Sequence, residues 1–293
     1  MKIVDHSNIL LNSASVDAAS ASLYLNGNYV GIAGVSVASS NRLLVYPPIS
    51  SGHRFQHPFI SSLRKLEASV SGITDRYIEL GIPYEEDQYI DSLVLESDVR
   101  LSLELYGLGV ALDSSARYIL IDGPLLPPAR SYLKLGYWAD EVSLFNSKRV
   151  QYISRTLSED RVVVGFVKRV GIDISEIESL TRGRPAAIGP IVTKDLVDIC
   201  SFYIVTESSS YLHSLGRVEI PCATVESLKS VKLVELLSMF YSSCFSLALP
   251  VPYGLYVADR VSKNLVRKLV ELVELAARSR GIYTVFPGEY MYG

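Results

Sequence analysis

A short apolar run that ends in Asp-Gly-Pro constrains this chain more than any other stretch. Residues 118–121 read Tyr-Ile-Leu-Ile, and Asp122 follows immediately before the Gly-Pro breaker. An apolar run of this length between turn signals is typical of a buried strand that stops abruptly. Because an unpaired buried carboxylate costs several kcal/mol, Asp122 requires a metal ion, a basic partner, a helix N-terminus or water. Taken alone, a turn aspartate that caps the bend explains the stretch equally well.

The composition describes a large folded chain with no global nucleic-acid or membrane signal. The 293 residues are 48% hydrophobic, with a mean hydropathy of +0.24, so the chain can bury a sizeable core. It has no run of 18 uncharged apolar residues, and its first residues lack the apolar core of a signal peptide, so we expect no membrane segment. The net charge of −3 means that any nucleic acid would be held in a local basic channel.

The cysteines and histidines form no metal-binding or redox motif. Cys200, Cys222 and Cys244 lie in mostly apolar contexts and make no CxxC pair. We therefore expect buried free thiols in a reducing cytoplasm. The four histidines are scattered, so a histidine-based zinc site is not expected.

The hydrophobic pattern of the first half predicts a β-meander followed by a core helix. Alternating residues predict strands over 15–24, 29–38 and 43–46, with a turn at Asn26-Gly27-Asn28. Helical spacing between residues 55 and 80 predicts a helical insertion around residues 52–92. A strongly apolar helix follows over 93–112, and then comes the strand that ends at Asp122.

The second half alternates helical and strand signals. Helices are predicted over 129–144, 195–203, 225–245 and 255–279. Strands are predicted over 211–220 and over 161–167, which ends in Lys168-Arg169. No repeat or low-complexity linker interrupts the pattern, so we expect a single domain over residues 1–293. Nucleotide-binding loops and the nucleophile elbow of hydrolases are absent from the sequence.

Four carboxylates and one lysine occupy key positions on successive elements: Asp17 on the first strand, Glu104 on the core helix, Asp122 and Lys168 at strand ends, and Asp259 at the start of the last helix. Each has an ordinary explanation alone, as an outward strand residue, a helix ion pair, a turn residue or a helix-dipole partner. The element order, however, matches the RNase H-like fold, an α/β mixed sheet of three antiparallel strands and then parallel strands, flanked by helices. That fold brings such carboxylates to one sheet edge, where their oxygen atoms suit Mg²⁺ or Mn²⁺.

Five stretches carry a family resemblance that covers residues 14 to about 270. They are Val16-Asp17-Ala18-Ala19-Ser20, Arg100 through Glu104-Leu105-Tyr106, Ile121-Asp122-Gly123-Pro124-Leu125, Val164-Gly165-Phe166-Val167-Lys168-Arg169 and Pro252-Tyr253-Gly254-Leu255-Tyr256-Val257-Ala258-Asp259. They are similar to an Asp-Gly-Ser motif, an Arg-x-x-x-Glu-Tyr helix, a second aspartate motif, a Val-x-Gly-x-x-Lys strand and a Pro-x-x-Leu-x-x-Ala-His/Asp segment. The chain therefore resembles the NurA nucleases, archaeal and bacterial enzymes that process DNA ends with the HerA hexameric helicase.

The resemblance implies a metal-dependent DNA nuclease. It implies a 5′-3′ exonuclease on single-stranded or double-stranded DNA ends, with possible endonuclease action on single strands, in end resection and double-strand break repair. Asp17, Glu104, Asp122 and Asp259 would hold two Mn²⁺ or Mg²⁺ ions, and Lys168 would contact the scissile phosphate. The implied partners are a HerA-type helicase and a second copy of the chain, and the implied location is the cytoplasm.

Two alternatives remain open from the residues themselves. Ala18 stands where the family usually has glycine. This difference leaves open the alternative that the chain is a catalytically inactive RNase H-like DNA-binding or scaffold subunit. A nuclease that acts on RNA would share the same carboxylates. Weak candidates for a DNA channel are Arg54, Arg130, Lys134, Arg182 and Arg184.

Overall fold

The computed structural model of the chain describes residues 12–25, 28–48, 58–62, 78–79, 92–127, 136–159, 161–168, 186–206, 214–228, 232–234, 236–237, 244–246, 249–282 and 284–285. Within these residues, no helix is both long enough and apolar enough to cross a membrane.

The predicted meander is present at the start of the described chain. Strands β1 (Ser13–Leu25), β2 (Asn28–Ser39) and β3 (Leu43–Tyr46) agree with the alternation in the sequence. Two short strands follow, β4 (Ile60–Ser62) and β5 (Ile78–Glu79). They lie inside the range predicted as a helical insertion, most of which falls outside the described residues, so the insertion stays a prediction.

The middle of the chain contains α1 (Ser92–Leu112), β6 (Tyr118–Asp122), α2 (Gly136–Ser158) and β7 (Val162–Val167). The predicted end of α2 at residue 144 is wrong, because the helix continues for four more turns. Its buried face carries a charged residue, Arg149, which is 1% exposed and lies over the ring of Phe145 at 5.4 Å. A cation on the buried face hides the apolar period that sequence reasoning relies on.

The rest of the chain contains β8 (Ala186–Thr193), β9 (Ile199–Thr206), β10 (Ser214–Pro221), α3 (Cys222–Ser227), β11 (Cys244–Ser246), β12 (Leu249–Pro252), α4 (Tyr253–Arg278) and β13 (Thr284–Val285). The helix predicted over 195–203 is wrong, since residues 199–204 are buried strand residues without alternation. The single long helix predicted over 225–245 is wrong in its continuity and its end. α3 ends at Ser227, the backbone of Leu228 is extended, and β11 begins at Cys244, although residues 232–234 and 236–237 are helical.

The strands form a mixed sheet in the order β5-β4-β2-β1-β6-β7-β10-β9-β8, with β3 paired to β2 and β13 paired to β1. β1, β6 and β7 are parallel to one another, whereas β7, β10, β9 and β8 are successively antiparallel. An antiparallel meander that continues into parallel strands separated by helices confirms the predicted RNase H-like fold class. β8 and β9, which were not predicted as strands, extend the sheet beyond β10.

The described chain divides into two compact units. The first comprises residues 1–16, 37–43 and 108–258, and its apolar core is built from β6, β7, β9, β10 and the start of α4. The second comprises residues 17–36, 44–107 and 259–293, with buried apolar residues on β2, α1 and α4. The boundary passes through single elements, so that Val16 and Asp17 are neighbours on β1, and Ala258 and Asp259 are neighbours on α4.

A disulfide joins two cysteines that we expected to be free thiols. Cys200 on β9 and Cys222 at the start of α3 are bonded, with their Cα atoms 5.0 Å apart. The β9–β10 register pairs Cys200 with Ile220, so that Cys222 emerges two residues later beside it. The expectation of free thiols is therefore wrong for this pair, because a pairing that depends on strand register leaves no short motif in the sequence.

We predict that replacing both Cys200 and Cys222 with alanine lowers the unfolding free energy by about 3 kcal/mol, the loop-closure entropy expected for a 22-residue separation. Urea unfolding under non-reducing conditions measures the loss. Adding a reductant is expected to destabilise the unmodified protein by the same amount and to leave the variant unchanged. A variant as stable as the unmodified protein without reductant would contradict the assignment of a stabilising disulfide.

Candidate metal centre

The register of β1 on β6 brings together two aspartates, one inside β1 and one at the end of β6. Val16 pairs with Ile121 in the parallel ladder, and each is followed directly by an aspartate, Asp17 or Asp122. The parallel direction of the two strands makes both chains leave this pair toward the same edge of the sheet. Asp17 is 6% exposed, and the Asp122 side chain is 11% exposed.

A close approach between β1 and the first turn of α4 positions the third aspartate. A Cβ atom at Gly254 would lie 2.5 Å from the Oγ of Ser15, which is fully buried on β1. A side chain at residue 254 would therefore force the Ser15 side chain to move. The buried residues Leu255 and Ala258 then direct the helix so that Asp259 follows at its edge.

The carboxylates of Asp17, Asp122 and Asp259 form a compact group. One oxygen atom from each lies within 4.8 Å of the others, which is a spacing that could hold a metal ion. Three ionised carboxylates at this separation repel one another strongly unless a cation lies between them. Oxygen-only ligands of this type fit Mg²⁺ or Mn²⁺ rather than the sulfur- and imidazole-binding metals.

Lys168 directly follows β7 and forms an ion pair with Asp122. The lysine side chain is 21% exposed, so the pair is shielded from most of the solvent but remains accessible. Because β6 and β7 pair in parallel with Asp122 opposite Phe166, the strand end that carries Lys168 reaches the same edge as the carboxylates. The structure therefore places Lys168 beside the group formed by Asp17, Asp122 and Asp259.

The loop that follows Asp122 contacts three residues of the neighbouring strands β7 and β10. Gly123 has a φ of +121°, and its N–H donates to the Phe166 carbonyl at 2.7 Å. A Cβ atom at Gly165 would lie 2.8 Å from the Gly123 carbonyl, so only glycine leaves room for this loop. Glu219, which is 6% exposed, accepts a hydrogen bond from the Leu125 N–H at 2.7 Å.

A buried serine links two of the three aspartates. The hydroxyl of Ser262 is fully buried, contacts the Oδ2 atom of Asp17 and lies 3.0 Å from the Asp259 carbonyl oxygen. Because a hydroxyl has one hydrogen, the ionised carboxylate is the preferred acceptor. On the exposed side, Lys263 binds both oxygen atoms of Asp259 at 2.8 and 2.9 Å.

Sequence reasoning did not identify Ser262 or Glu219 as supporting residues. Ser262 lies one turn after Asp259, so helical spacing from a candidate carboxylate could have identified it. Glu219 contacts a loop 94 residues away in the chain, and no local pattern indicates such a contact.

The remaining predicted site residues are not part of the three-carboxylate group. Glu104 lies on α1, as predicted, and is 7% exposed, but it is not among the carboxylates within 4.8 Å of one another. Its role as a metal ligand stays a prediction. The weak DNA-binding candidates lie outside the described residues: Arg54, Arg130, Lys134, Arg182 and Arg184.

Comparison with solved structures identifies the fold. The NurA nuclease from Sulfolobus solfataricus matches with a TM-score of 0.50 and 15% sequence identity, covering 92% of this chain and 84% of that one. A NurA structure bound to dAMP and manganese matches with a TM-score of 0.44 and 9% identity, over 84% of this chain and 83% of that one. A NurA structure with manganese matches with a TM-score of 0.43 and 9% identity, over 78% and 81%.

The match to the Sulfolobus protein establishes that the chain has a NurA-like fold. At 15% identity the resemblance to the Sulfolobus protein shows shared architecture, and the chemistry rests on the residues themselves. No family model matches the sequence. A comparison with curated protein sequences likewise gives no match.

We predict that Glu219→Ala lowers the unfolding free energy by about 2–4 kcal/mol, because the variant leaves the Leu125 N–H without an acceptor and removes the ion pair with Arg217. Glu219→Gln is expected to lose less, since its amide oxygen still accepts the hydrogen bond. Glu226→Ala, at an exposed glutamate, is the matched control in the same urea titration. Equal losses for Glu219→Ala and Glu226→Ala would contradict the anchoring role.

Proposed function

We propose that this protein is a metal-dependent deoxyribonuclease that hydrolyses phosphodiester bonds. The observation that carries the proposal is the group of three aspartates beside an ion-paired lysine at one sheet edge. Carboxylates that bind a divalent cation and a lysine that binds phosphate are the parts that phosphodiester hydrolysis requires. The NurA-like fold supports the same conclusion.

In the proposed reaction, Asp17, Asp122 and Asp259 hold Mn²⁺ or Mg²⁺, with Glu104 as a fourth ligand. Two such ions, when bound, supply an activated water and stabilise the charge on the leaving oxygen. Lys168 binds a non-bridging oxygen of the scissile phosphate, where its ammonium group offsets the negative charge that develops. Its ion pair with Asp122 holds the ammonium at the edge of the centre before the substrate arrives.

The finer parts of the proposal follow the resemblance to NurA. The enzyme acts as a 5′-3′ exonuclease on DNA ends, with possible endonuclease action on single strands, in end resection during double-strand break repair. It works as a homodimer with a HerA-type helicase in the cytoplasm of an archaeon. A disulfide is compatible with this location, because intracellular proteins of hyperthermophilic archaea are rich in disulfides.

We predict that the purified protein degrades end-labelled single-stranded DNA in the presence of Mn²⁺, and that Asp122→Asn lowers the rate by about 100-fold or more. The asparagine keeps the size of the side chain but removes the negative charge that binds the metal and Lys168. The time course of label release from 5′- and 3′-labelled strands measures the polarity.

Asp113→Asn is the matched control for this assay, since Asp113 is a 75% exposed aspartate that follows α1 and pairs only weakly with Arg155 at 3.4 Å. It is expected to keep full activity. Activity that survives in Asp122→Asn would exclude this carboxylate cluster as the catalytic centre. An inactive unmodified protein, tested with and without a HerA-type helicase, would favour the scaffold alternative.

We predict that Ser262→Ala raises the Kd for Mn²⁺ by about 10- to 100-fold, the usual effect of removing a group that orients a metal ligand. The hydroxyl restricts rotation of the Asp17 carboxylate, so its loss affects metal binding more than DNA binding. Calorimetric titration with Mn²⁺ measures the change, and the KM for DNA at saturating Mn²⁺ is expected to stay constant.

Two comparisons separate this orienting role from a general structural role. In an Asp17→Asn background, Ser262→Ala is expected to have no further effect on Mn²⁺ affinity, because the serine acts through Asp17. Thr156→Val removes another buried helical hydroxyl, which bonds the Ile153 carbonyl and no carboxylate, and should leave Mn²⁺ affinity unchanged. If Ser262→Ala weakened Mn²⁺ binding by the same factor in the Asp17→Asn background as in the unmodified protein, the orienting role would be disproved.

A further inference from the structure

One face of α4 combines exposed cations with exposed aromatic rings. At 100° per residue the buried positions, among them Leu255, Ser262 and Val273, occupy one side of the helix. The opposite side bears residues whose side chains are exposed or partly exposed. We call this face the α4 track, and it consists of Tyr253, Tyr256, Arg260, Lys263, Arg267 and Lys268.

The charge on this face is segregated along the helix. The four cations of the α4 track lie between residues 260 and 268 with no acidic residue among them, whereas Glu271 and Glu274 occupy the continuation of the same face. An ordinary solvated helix face carries mixed charges that pair one turn apart, as Glu274 does with Arg278 and Lys263 with Asp259. The other three cations of the track add to a positive segment that occupies the nine residues after Asp259.

The aromatic part of the α4 track is a stacked pair. The rings of Tyr253 and Tyr256 are 6.5 Å apart with an interplanar angle of 26°, and Tyr253 is 46% exposed. Tyr256 packs against the apolar core of the first unit, which holds the pair in place. A firmly seated ring with an exposed face is suited to stacking on a flat apolar ligand such as a nucleobase.

The α4 track is continuous with the candidate metal centre. Asp259 lies one turn after Tyr256 on the same helix, and Lys263 is bound to Asp259. From Tyr253 to Lys268 the helix extends about 22 Å at 1.5 Å per residue. A polyanion that follows this face therefore reaches the candidate metal centre at Lys263, which contacts Asp259.

From this arrangement we infer that the α4 track binds the backbone and bases of a single DNA strand and leads it to the carboxylate centre. The cations bind phosphates, and Tyr253 stacks on an unpaired base. Duplex DNA offers the same phosphates but keeps its bases stacked internally, so the tyrosines favour a single strand. The inference rests on the proposed nuclease function and specifies the surface of the protein that binds a single strand.

Binding can be measured without turnover in the full-length Asp122→Asn protein with EDTA present. Fluorescence anisotropy with labelled oligo(dT) and with a labelled duplex of equal length, each at several salt concentrations, gives the Kd and the salt slope. The variants added to this background are Arg267→Ala with Lys268→Ala, Tyr253→Leu and Tyr253→Phe. Arg278→Ala, beyond the glutamates on the same helix, is the control for the loss of an exposed arginine.

We expect the double cation variant to weaken binding and to reduce the salt slope for oligo(dT) by about 0.7 for each lost phosphate contact. Tyr253→Leu should weaken oligo(dT) binding by about fivefold or more and leave duplex binding unchanged, while Tyr253→Phe keeps the ring and the affinity. Arg278→Ala should leave both slopes unchanged.

Each of three results would overturn the inference. The first is a salt slope unaffected by the double cation variant, the second is an equal effect of Tyr253→Leu on the binding of single strands and duplex, and the third is the absence of any oligo(dT) binding by the Asp122→Asn protein. If binding and its dependence on the α4 track are as expected but the unmodified protein degrades no DNA with Mn²⁺, only the proposed nuclease activity is wrong. Circular dichroism of each variant verifies that it is folded.

Discussion

The parallel pairing of β1 with β6 is the constraint on which the candidate centre depends. Four consecutive pairs, ending with Val16 opposite Ile121, determine the register, and both of these residues are fully buried. A slip of one residue would turn Asp17 to the opposite face of the sheet, away from Asp122. The burial of apolar side chains therefore holds together two carboxylates, Asp17 and Asp122, that repel each other when no cation is bound.

The buried side, the edge and the exposed side of helix α4 each have a different role at the candidate metal centre. Its buried side contacts β1 at Ser15 through Gly254 and reaches Asp17 through the Ser262 hydroxyl. Its edge carries Asp259, and its exposed side carries cations and tyrosines. A substitution on the buried side therefore changes metal geometry, whereas one on the exposed side changes how a polymer is held. This separation allows binding and chemistry to be tested independently.

The meander, α1, β6, β7 and α4 could be predicted because their periodicity and end signals are local. Asp122 could be predicted because it ends β6, where a charge has no packing role. Asp17 lies inside β1 and Asp259 in the second turn of α4, so these two were predicted from the order of the elements and from the family resemblance. The residues that support them depend on tertiary contacts. Glu219 contacts Leu125, which is 94 residues away in the chain. The Cys200–Cys222 bond depends on the register of β9, and the unbroken apolar run of this strand led to the prediction of a helix instead.

The local charges explain how an acidic chain could bind an anionic polymer at this edge. The three aspartates, when ionised, exceed the positive charge of Lys168 and the exposed Lys263, so the bare centre repels a phosphate. One divalent cation reverses the sign of this local balance. Metal binding would then be a condition for substrate to reach the carboxylates, in addition to its role in the chemistry. A chain with a net charge of −3 needs no basic surface overall if its centre changes sign in this way and its cations are concentrated along α4.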